Sequence, residues 1–309
     1  MSTAQTTLRN LSDSLAASVD TSISGVVAVR AAAYRVSSGV AIRPDLIAVA
    51  DHTLKRSDRI PVQTADGRNA SATLLGRDPT VDVAILKVSD LTLTPLPSAS
   101  PDTLKAGMLV TVVGLTMDAG PSVSLGMLGA VSGPRRTWRS GVLDRFIRLD
   151  VNLYPSQSGA AVVNCEGQFV GLATPGLLRH SAVAVPLATI DKVAEELVKQ
   201  GRIRQGYLGV GVQPVAIPES LRAKIGDDQT SGLIVLTVET QSPAEQGSLQ
   251  IGDILVSLDG KPLADVDDLH QALRGEIVGK RSELLILRGG EALRREIEIS
   301  ERARKSDPQ

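Results

Sequence analysis

The amino-acid sequence predicts a mainly β protein made of two domains. Its 309 residues exceed the size at which one hydrophobic core stops growing, so two domains are expected. Between residues 22 and 198, short apolar segments alternate with turn clusters such as Pro44-Asp45 and Glu166-Gly167. Strands spaced in this way favour a sandwich or a barrel. A polar segment bounded by glycines, at residues 200–206, then separates this region from a shorter one.

Helical periodicity occurs at both ends of the first region. Apolar residues recur at helical spacing in residues 8–20 as Leu8, Leu11, Leu15 and Val19. They predict an amino-terminal helical segment within residues 1–21. A second helical pattern covers residues 189–199, so the first β domain is predicted at residues 22–199.

Composition excludes several classes of function. The chain has 33 basic and 34 acidic residues, so its net charge of -1 gives no reason to expect nucleic acid or an anionic membrane as partner. The only basic and aromatic cluster, residues 134–139, is interpreted as a solvated loop. A single cysteine, Cys165, excludes an intramolecular disulfide. No His, Cys and carboxylate cluster has metal-ligand spacing, so neither a metal nor another cofactor is expected.

The amino terminus suggests a compartment. Residues 1–7 lack both a charged region and an apolar region of the kind that signal peptides carry, and no apolar run reaches the length of a membrane span. As the chain stands, we expect a cytoplasmic protein without a membrane partner. A periplasmic location is expected instead if the sequence is a trimmed form of a longer one.

Three residues in separate segments predict nucleophilic catalysis. His52 ends an apolar strand-like segment, Asp82 precedes the apolar run 83–88, and Ser158 lies in the polar loop 154–159. A serine hydroxyl is a poor nucleophile at neutral pH, and it needs a base within hydrogen-bond reach and a third group that orients the base. The order His, Asp, Ser is the one that a chymotrypsin-like serine protease requires.

Further segments surround these three residues in a recognisable order: Ser38-Gly39, 76–79, Gly107, 112–114, 124–126, 149–150, 162–164, 170–174 and 182–186. With these segments the chain resembles the HtrA (Deg) family of trypsin-like serine proteases, from about residue 22 to residue 299. The resemblance implies a chymotrypsin-like double β-barrel followed by one PDZ domain. It also implies a serine endopeptidase that cleaves unfolded or exposed polypeptide through a covalent acyl-enzyme, and it leaves a homo-trimer as an open expectation.

The resemblance assigns the oxyanion hole to the backbone N–H groups of Ser156 and Ser158. Family members normally have glycine where this chain has Ser156, and they often use a left-handed φ there. A residue with a Cβ is disfavoured in that region by ~1 to 2 kcal/mol. An alternative to the protease is therefore a catalytically silent pseudoprotease that serves as a peptide-binding or regulatory scaffold.

The resemblance also implies the pocket for the substrate side chain that precedes the scissile bond. It places Asn152, Tyr154 and the strand Leu172, Ala173 and Thr174 around this S1 pocket. No carboxylate occupies the base position, so a small or medium aliphatic side chain is preferred over a basic one.

The shorter region, residues 207–300, resembles a PDZ domain, and residues 301–309 are expected to form a disordered tail. A PDZ domain binds the C-terminus of a partner by strand addition, with the carboxylate on backbone N–H groups of a loop. The alternative is that the apolar residues concerned are ordinary core. The residues that the resemblance assigns to the peptide groove are Tyr207, Leu208, Gly209, Val210, Leu269 and Leu273.

Overall fold

A computed structural model describes residues 3–32, 35–55, 59–178, 181–200, 206–226, 229–273 and 277–301. The chain divides between residues 202 and 203 into two compact units. Most of the predicted linker (201–205) and of the predicted tail (302–309) lies outside the described residues. The mainly β prediction is confirmed, and the first unit contains the two closed barrels that a double-barrel fold requires.

The first barrel closes through six antiparallel strands in the order β1-β2-β3-β6-β5-β4. The Pro44-Asp45 turn joins β2 to β3, as the sequence predicts. Every residue of β3 is buried, which explains its continuous apolar run. The strands are β1 (Val26–Ala32), β2 (Arg35–Arg43), β3 (Leu46–Ala50), β4 (Ile60–Thr64), β5 (Asn69–Asp78) and β6 (Val83–Val88).

The second barrel closes in the order β11-β14-β13-β12-β7-β8. A two-stranded hairpin, β9 with β10, is inserted before β11 and lies outside the barrel sheet. The strands are β7 (Leu109–Thr116), β8 (Gly120–Ser132), β9 (Arg135–Arg136), β10 (Val142–Leu143), β11 (Phe146–Asp150), β12 (Ala161–Val163), β13 (Phe169–Thr174) and β14 (Ala182–Val185).

Two helices flank the barrels, α1 (Thr3–Ser22) and α2 (Leu187–Gln200). Helix α2 approaches β5 so closely that a Cβ built on Gly76 would lie 2.3 Å from a methyl carbon of Leu197. Short 3-10 helices span Ile23–Gly25, Asp51–Thr53, Pro101–Thr103 and Pro155–Gln157. None of the helices in the described ranges is both long and apolar enough to cross a membrane.

The second unit contains a six-strand antiparallel sheet with short helices. Five strands follow the order β16-β17-β18-β20-β21, β19 pairs with β18, and β15 pairs with β22 in a separate two-stranded sheet. Strand β16 lies at one edge of the sheet and contacts α5. The strands are β15 (Gly206–Tyr207), β16 (Val210–Ala216), β17 (Ser231–Val238), β18 (Ile254–Leu258), β19 (Lys261–Pro262), β20 (Arg281–Arg288), β21 (Glu291–Glu298) and β22 (Ser300–Glu301). The helices are α3 (Glu219–Ile225), α4 (Pro243–Gln246) and α5 (Val266–Ala272).

Candidate active site

Strand pairing in the first barrel brings His52 and Asp82 together. Strands β3 and β6 are antiparallel partners, so the residues that follow β3 lie beside those that precede β6. His52 Nδ1 lies 2.8 Å from Asp82 Oδ2, and the His52 backbone N–H donates to Asp82 Oδ1 at 2.9 Å. Asp82 is completely buried. A carboxylate held in this way fixes the orientation of the imidazole ring and favours the tautomer with a proton on Nδ1.

Thr174 completes the hydrogen bonding of the Asp82 carboxylate. Its hydroxyl donates to Asp82 Oδ2 and accepts a hydrogen bond of 2.9 Å from the Gly176 N–H. A Cβ on Gly176 would lie 2.5 Å from Asp82 Oδ2 and 3.1 Å from His52 Nδ1, so only glycine fits against the pair. The resemblance places Thr174 at the S1 pocket and says nothing of this contact. A hydroxyl residue at the end of an apolar strand is the only sign of it in the sequence.

The loop that carries Ser158 packs against the first barrel close to His52. The Ser158 carbonyl accepts a hydrogen bond of 3.1 Å from the Ser38 N–H of β2. Gly159 has a φ of +83°, and a Cβ there would lie 2.2 Å from the Ser38 carbonyl and 3.1 Å from the Ala50 nitrogen. Ala50 precedes His52 by two residues, so the fold brings all three predicted residues to one region. Among the described residues, no hydrogen bond joins the Ser158 hydroxyl to the His52 ring.

Ser38 links both barrels to this loop. Its side chain is completely buried. The Ser38 hydroxyl donates to the Ser156 carbonyl at 2.7 Å and accepts from the Leu115 N–H of β7 at 2.9 Å. In the sequence, Ser38 stands out only as part of a family motif, because its partners are 77 and 118 positions away.

Gln157 anchors the same loop to the second barrel. Its buried amide oxygen accepts from the Tyr154 N–H at 3.0 Å and from the Ser124 hydroxyl at 3.1 Å. Its amide nitrogen donates to the Ser122 carbonyl at 3.2 Å. No motif in the sequence marks Gln157, although a buried amide with satisfied hydrogen bonds rigidifies its surroundings.

The two predicted oxyanion donors lie in or next to the 3-10 helix Pro155–Gln157. The Ser158 N–H donates to the Pro155 carbonyl across this turn, at 3.4 Å. Ser156 is not among the residues with a positive φ, in contrast to the left-handed geometry that the family often uses. The Ser158 N–H is therefore already paired with the Pro155 carbonyl and does not point to a free oxyanion site. The oxyanion hole stays a prediction.

A second buried carboxylate, Asp51, adjoins the pair. Burial raises the pKa of Asp51 and nearby Asp82 raises it further, whereas the positive charge of Arg77 opposes the shift. Arg77 Nε lies 3.1 Å from Asp51 Oδ1, but without hydrogen-bond geometry, so the contact is an ion pair.

The residues predicted for the S1 pocket have different environments. Asn152 lines an open polar cavity of about 290 Å³ together with Asp150 and Ser181. Tyr154 is 64% exposed. Leu172 and Ala173 have no exposed surface and belong to the packed interior of the second barrel. The pocket as a whole stays a prediction.

In the second unit, the segment that leads from β15 into β16 contains four of the residues predicted for the peptide groove, Tyr207, Leu208, Gly209 and Val210. Gly209 has a φ of +82°, and a Cβ there would lie 2.2 Å from Ser242 Cβ. Within the described part of the chain, neither Leu208 N–H nor Gly209 N–H donates a hydrogen bond. The Tyr207 hydroxyl donates to Glu239 at 2.5 Å. The groove residues that pack into or against one apolar cluster are Leu208, Val210, Leu269 and Leu273.

Comparison with known proteins agrees with the two units. Residues 37–172 match the family described as trypsin-like peptidase domain, and residues 206–299 match the PDZ domain family. A probable periplasmic serine endoprotease DegP-like of Ectopseudomonas mendocina (strain ymp) is 32% identical over 264 residues, covering 84% of this chain and 55% of the relative. A relative of the same name from Halomonas elongata is 30% identical and covers 78% of this chain and 51% of the relative. The chain thus spans about half the length of these curated relatives.

Solved structures show the same fold. The serine endoprotease from Yersinia pestis aligns with a TM-score of 0.73 at 27% identity, covering 93% of this chain and 97% of that chain. The HtrA-type protease AlgW with decapeptide aligns with a TM-score of 0.74 at 23% identity, covering 94% and 99%.

The comparisons correct one expectation. The predicted cytoplasmic location is wrong, because the relatives are named periplasmic serine endoproteases. A targeting signal directs a chain to its compartment and is removed from the mature protein, so the composition of the folded part is no guide to location. The order of the two matching domains, the double barrel and the relatives together show that this chain belongs to the HtrA family of trypsin-like proteases with a PDZ domain.

Proposed function

We propose that this chain is a serine endopeptidase in which Ser158 is the nucleophile, His52 the general base and Asp82 the residue that orients the base. The observation that carries the proposal is the 2.8 Å contact between His52 Nδ1 and the buried Asp82. The Ser158 loop supports it, because Gly159 packs against Ala50, which precedes His52 by two residues. The names of the relatives support action in the periplasm.

The chemistry follows from this arrangement. His52 Nε2 takes the Ser158 proton as Oγ attacks the scissile carbonyl, and Asp82 stabilises the imidazolium that forms. The proton then passes to the leaving amine, the peptide bond breaks, and an acyl-enzyme remains on Ser158. Water, activated by His52, hydrolyses this ester and restores the hydroxyl.

Catalysis on this proposal requires a change in the Ser158 loop. The Ser158 N–H must leave the Pro155 carbonyl, and the Pro155–Ser156 peptide must turn so that the Ser156 N–H faces the substrate. The Ser158 hydroxyl must also come within hydrogen-bond reach of His52.

The second unit is proposed to bind C-terminal peptides. Strand β16 is an edge strand beside α5, which is the arrangement that strand addition needs. The N–H groups of Leu208 and Gly209 are available for a terminal carboxylate, within the part of the chain that the structure describes. The substrates proposed for the first unit are unfolded or exposed polypeptide segments, and a homo-trimer stays a prediction.

A catalytically silent scaffold is the second candidate. The observation in its favour is the 3-10 turn that pairs the Ser158 N–H with the Pro155 carbonyl, together with serine in place of glycine at position 156. In such a protein both units would serve recognition only.

A fluorophosphonate probe separates the two candidates, because it forms a covalent bond only with an activated serine. We expect labelling of the wild type and of Ser122→Ala, a matched control near the loop, and none of Ser158→Ala. Labelling should coincide with cleavage of an unfolded protein substrate. If the wild type stays unlabelled under every condition, including added C-terminal peptides, the scaffold is the correct function.

A further inference from the structure

A cavity of the first unit adjoins the His52–Asp82 pair and belongs to none of the sites assigned above. Its volume is about 450 Å³. It is enclosed by the β9–β10 hairpin on one side and by the segment 176–178 on the other. Gly176 lines it, and the same glycine packs against Asp82 and His52. A molecule in this cavity is therefore separated from the catalytic pair by the thickness of one backbone segment.

The cavity is apolar inside and basic at its wall. The aliphatic and phenylalanine side chains that line it come from Leu143, Phe146, Leu177, Leu178 and Val183. Two arginines, Arg135 and Arg136, line it as well, and none of the described residues that line it is acidic. This asymmetry favours a ligand that combines an apolar portion with a negative charge.

Aromatic contacts orient the cationic side of the cavity. The Arg135 guanidinium lies over the Phe146 ring, with 4.3 Å between its central carbon and the ring centroid. Stacking leaves the N–H groups at the edge of the guanidinium plane able to bind a carboxylate in a bidentate manner. Trp138 also lines the cavity and is 67% exposed. Its Nε1–H donates to the Gly176 carbonyl at 3.4 Å.

The hairpin also contacts the turn that carries Asp82. The Thr137 hydroxyl donates to the Thr80 carbonyl at 2.6 Å, and the Arg139 guanidinium donates to the Pro79 carbonyl at 3.2 Å. A Cβ on Gly141 would lie 2.5 Å from the Thr80 carbonyl. The hairpin that carries both arginines is thus hydrogen-bonded to residues 79 and 80, just before Asp82.

We propose that this cavity is a substrate subsite for a peptide segment in which an acidic side chain accompanies an apolar one, a few residues from the scissile bond. The carboxylate binds the Arg135 guanidinium, and the apolar side chain enters between Phe146 and Leu177. The proposal rests on the protease function proposed above, and it assigns a role to the basic and aromatic cluster that sequence analysis leaves as a solvated loop.

The test compares peptides that differ by one charge. Each peptide has acetylated and amidated ends, so no terminal carboxylate can bind the second unit. Each peptide contains one small aliphatic residue, the preferred side chain before the scissile bond. A single Glu, or its neutral isostere Gln, is placed in turn at each of the four positions before and the four positions after that residue. Binding is measured with the full chain as Ser158→Ala, by anisotropy of a labelled peptide and by the emission of Trp138, the only tryptophan of the protein.

We expect Glu at one position to strengthen binding about fivefold over Gln, the size of a charge-assisted contact at a partly exposed site. Trp138 emission should change on binding, and added salt should reduce the preference. Replacing Arg135 and Arg136 with Gln should abolish the preference. The matched control, Arg9→Gln with Arg68→Gln, removes the same charge from surfaces outside the cavity and should retain it.

Two results would overturn the subsite: equal binding of Glu and Gln peptides at every position, or a preference that survives in the cavity variant. Cleavage of the same peptides by the wild type distinguishes this failure from failure of the protease proposal. Cleavage without a Glu preference removes only the subsite. A Glu preference sensed by Trp138, without cleavage or labelling of Ser158, removes only the protease.

Discussion

The Ser38 hydroxyl donates a hydrogen bond of 2.7 Å to the Ser156 carbonyl and so ties the first barrel to the loop of the proposed nucleophile. The same oxygen accepts from Leu115 in the second barrel. One buried side chain thus holds the three segments whose relative position decides whether Ser158 can react.

Replacing Ser38 with alanine should leave the buried Leu115 N–H and the part-buried Ser156 carbonyl without this hydrogen-bond partner. We expect a loss of about 1–3 kcal/mol in the free energy of unfolding, measured by urea titration, and a lower kcat with little change in KM. Ser37→Ala is the matched control, because its hydroxyl makes only a 3.4 Å contact with Thr53. Equal effects of the two variants would contradict a specific role of Ser38.

Removing the Thr174 hydroxyl should weaken the support of Asp82. Thr174→Val keeps the shape of the side chain but lacks the donor to Asp82 and the acceptor for Gly176 N–H. A hydrogen bond to a charged group contributes about 1.5–3 kcal/mol, so kcat should fall about tenfold to hundredfold. Thr174→Ser retains the hydroxyl and should retain most of the activity. The measurement is steady-state kinetics with a peptide substrate. Wild-type activity of Thr174→Val would exclude this role of the Thr174 hydroxyl.

Glycine at position 156 should raise activity. It removes the Cβ that disfavours a left-handed φ, a penalty of ~1 to 2 kcal/mol, so formation of the oxyanion hole should become about tenfold more favourable. The rate of fluorophosphonate labelling of Ser158 and kcat should rise together. Ser156→Ala keeps the Cβ and should show no gain, and a similar gain in both variants would attribute the effect to the lost hydroxyl.

Stability should depend on pH through Asp51. Its pKa is raised above the ordinary value of 3.8 by burial, so the folded state binds this proton more tightly than the unfolded state. Its contribution to stability is therefore largest below that ordinary value and is lost as the pH rises through the raised pKa. The free energy of unfolding of the wild type, minus that of Asp51→Asn, should decrease from about pH 4 to about pH 7.

Asp66 provides the control for this measurement. Its pKa is lowered, chiefly by the hydrogen bond from the Thr64 hydroxyl and also by Arg68. The corresponding difference for Asp66→Asn should therefore fall only as the pH drops below the ordinary value of 3.8, and it should be nearly constant over the range in which the Asp51 difference changes. A wild-type minus Asp51→Asn difference that does not vary with pH would show that Asp51 titrates alike in both states.

Much of the fold follows from local pattern. The turn at Pro44-Asp45, the buried run of β3 and the amphipathic helix α2 each depend on residues that are close in sequence. Periodicity and turn chemistry record such neighbours directly. The short hairpin β9–β10 has no comparable pattern, and sequence analysis leaves it as a loop.

By itself, the sequence determined the double-barrel and PDZ architecture, its family and the three residues proposed for catalysis, because chain order and neighbouring motifs carry that information. Only the tertiary structure decided what supports them. Ser38, Gln157, Thr174 and Gly176 act through partners on other strands, and a hydrogen bond between residues up to 118 positions apart leaves no periodic pattern in the chain. The hydrogen bond from the Ser158 N–H to the Pro155 carbonyl was likewise decided by the tertiary structure. The direction of one peptide plane is set by packing around the loop and not by the loop sequence alone.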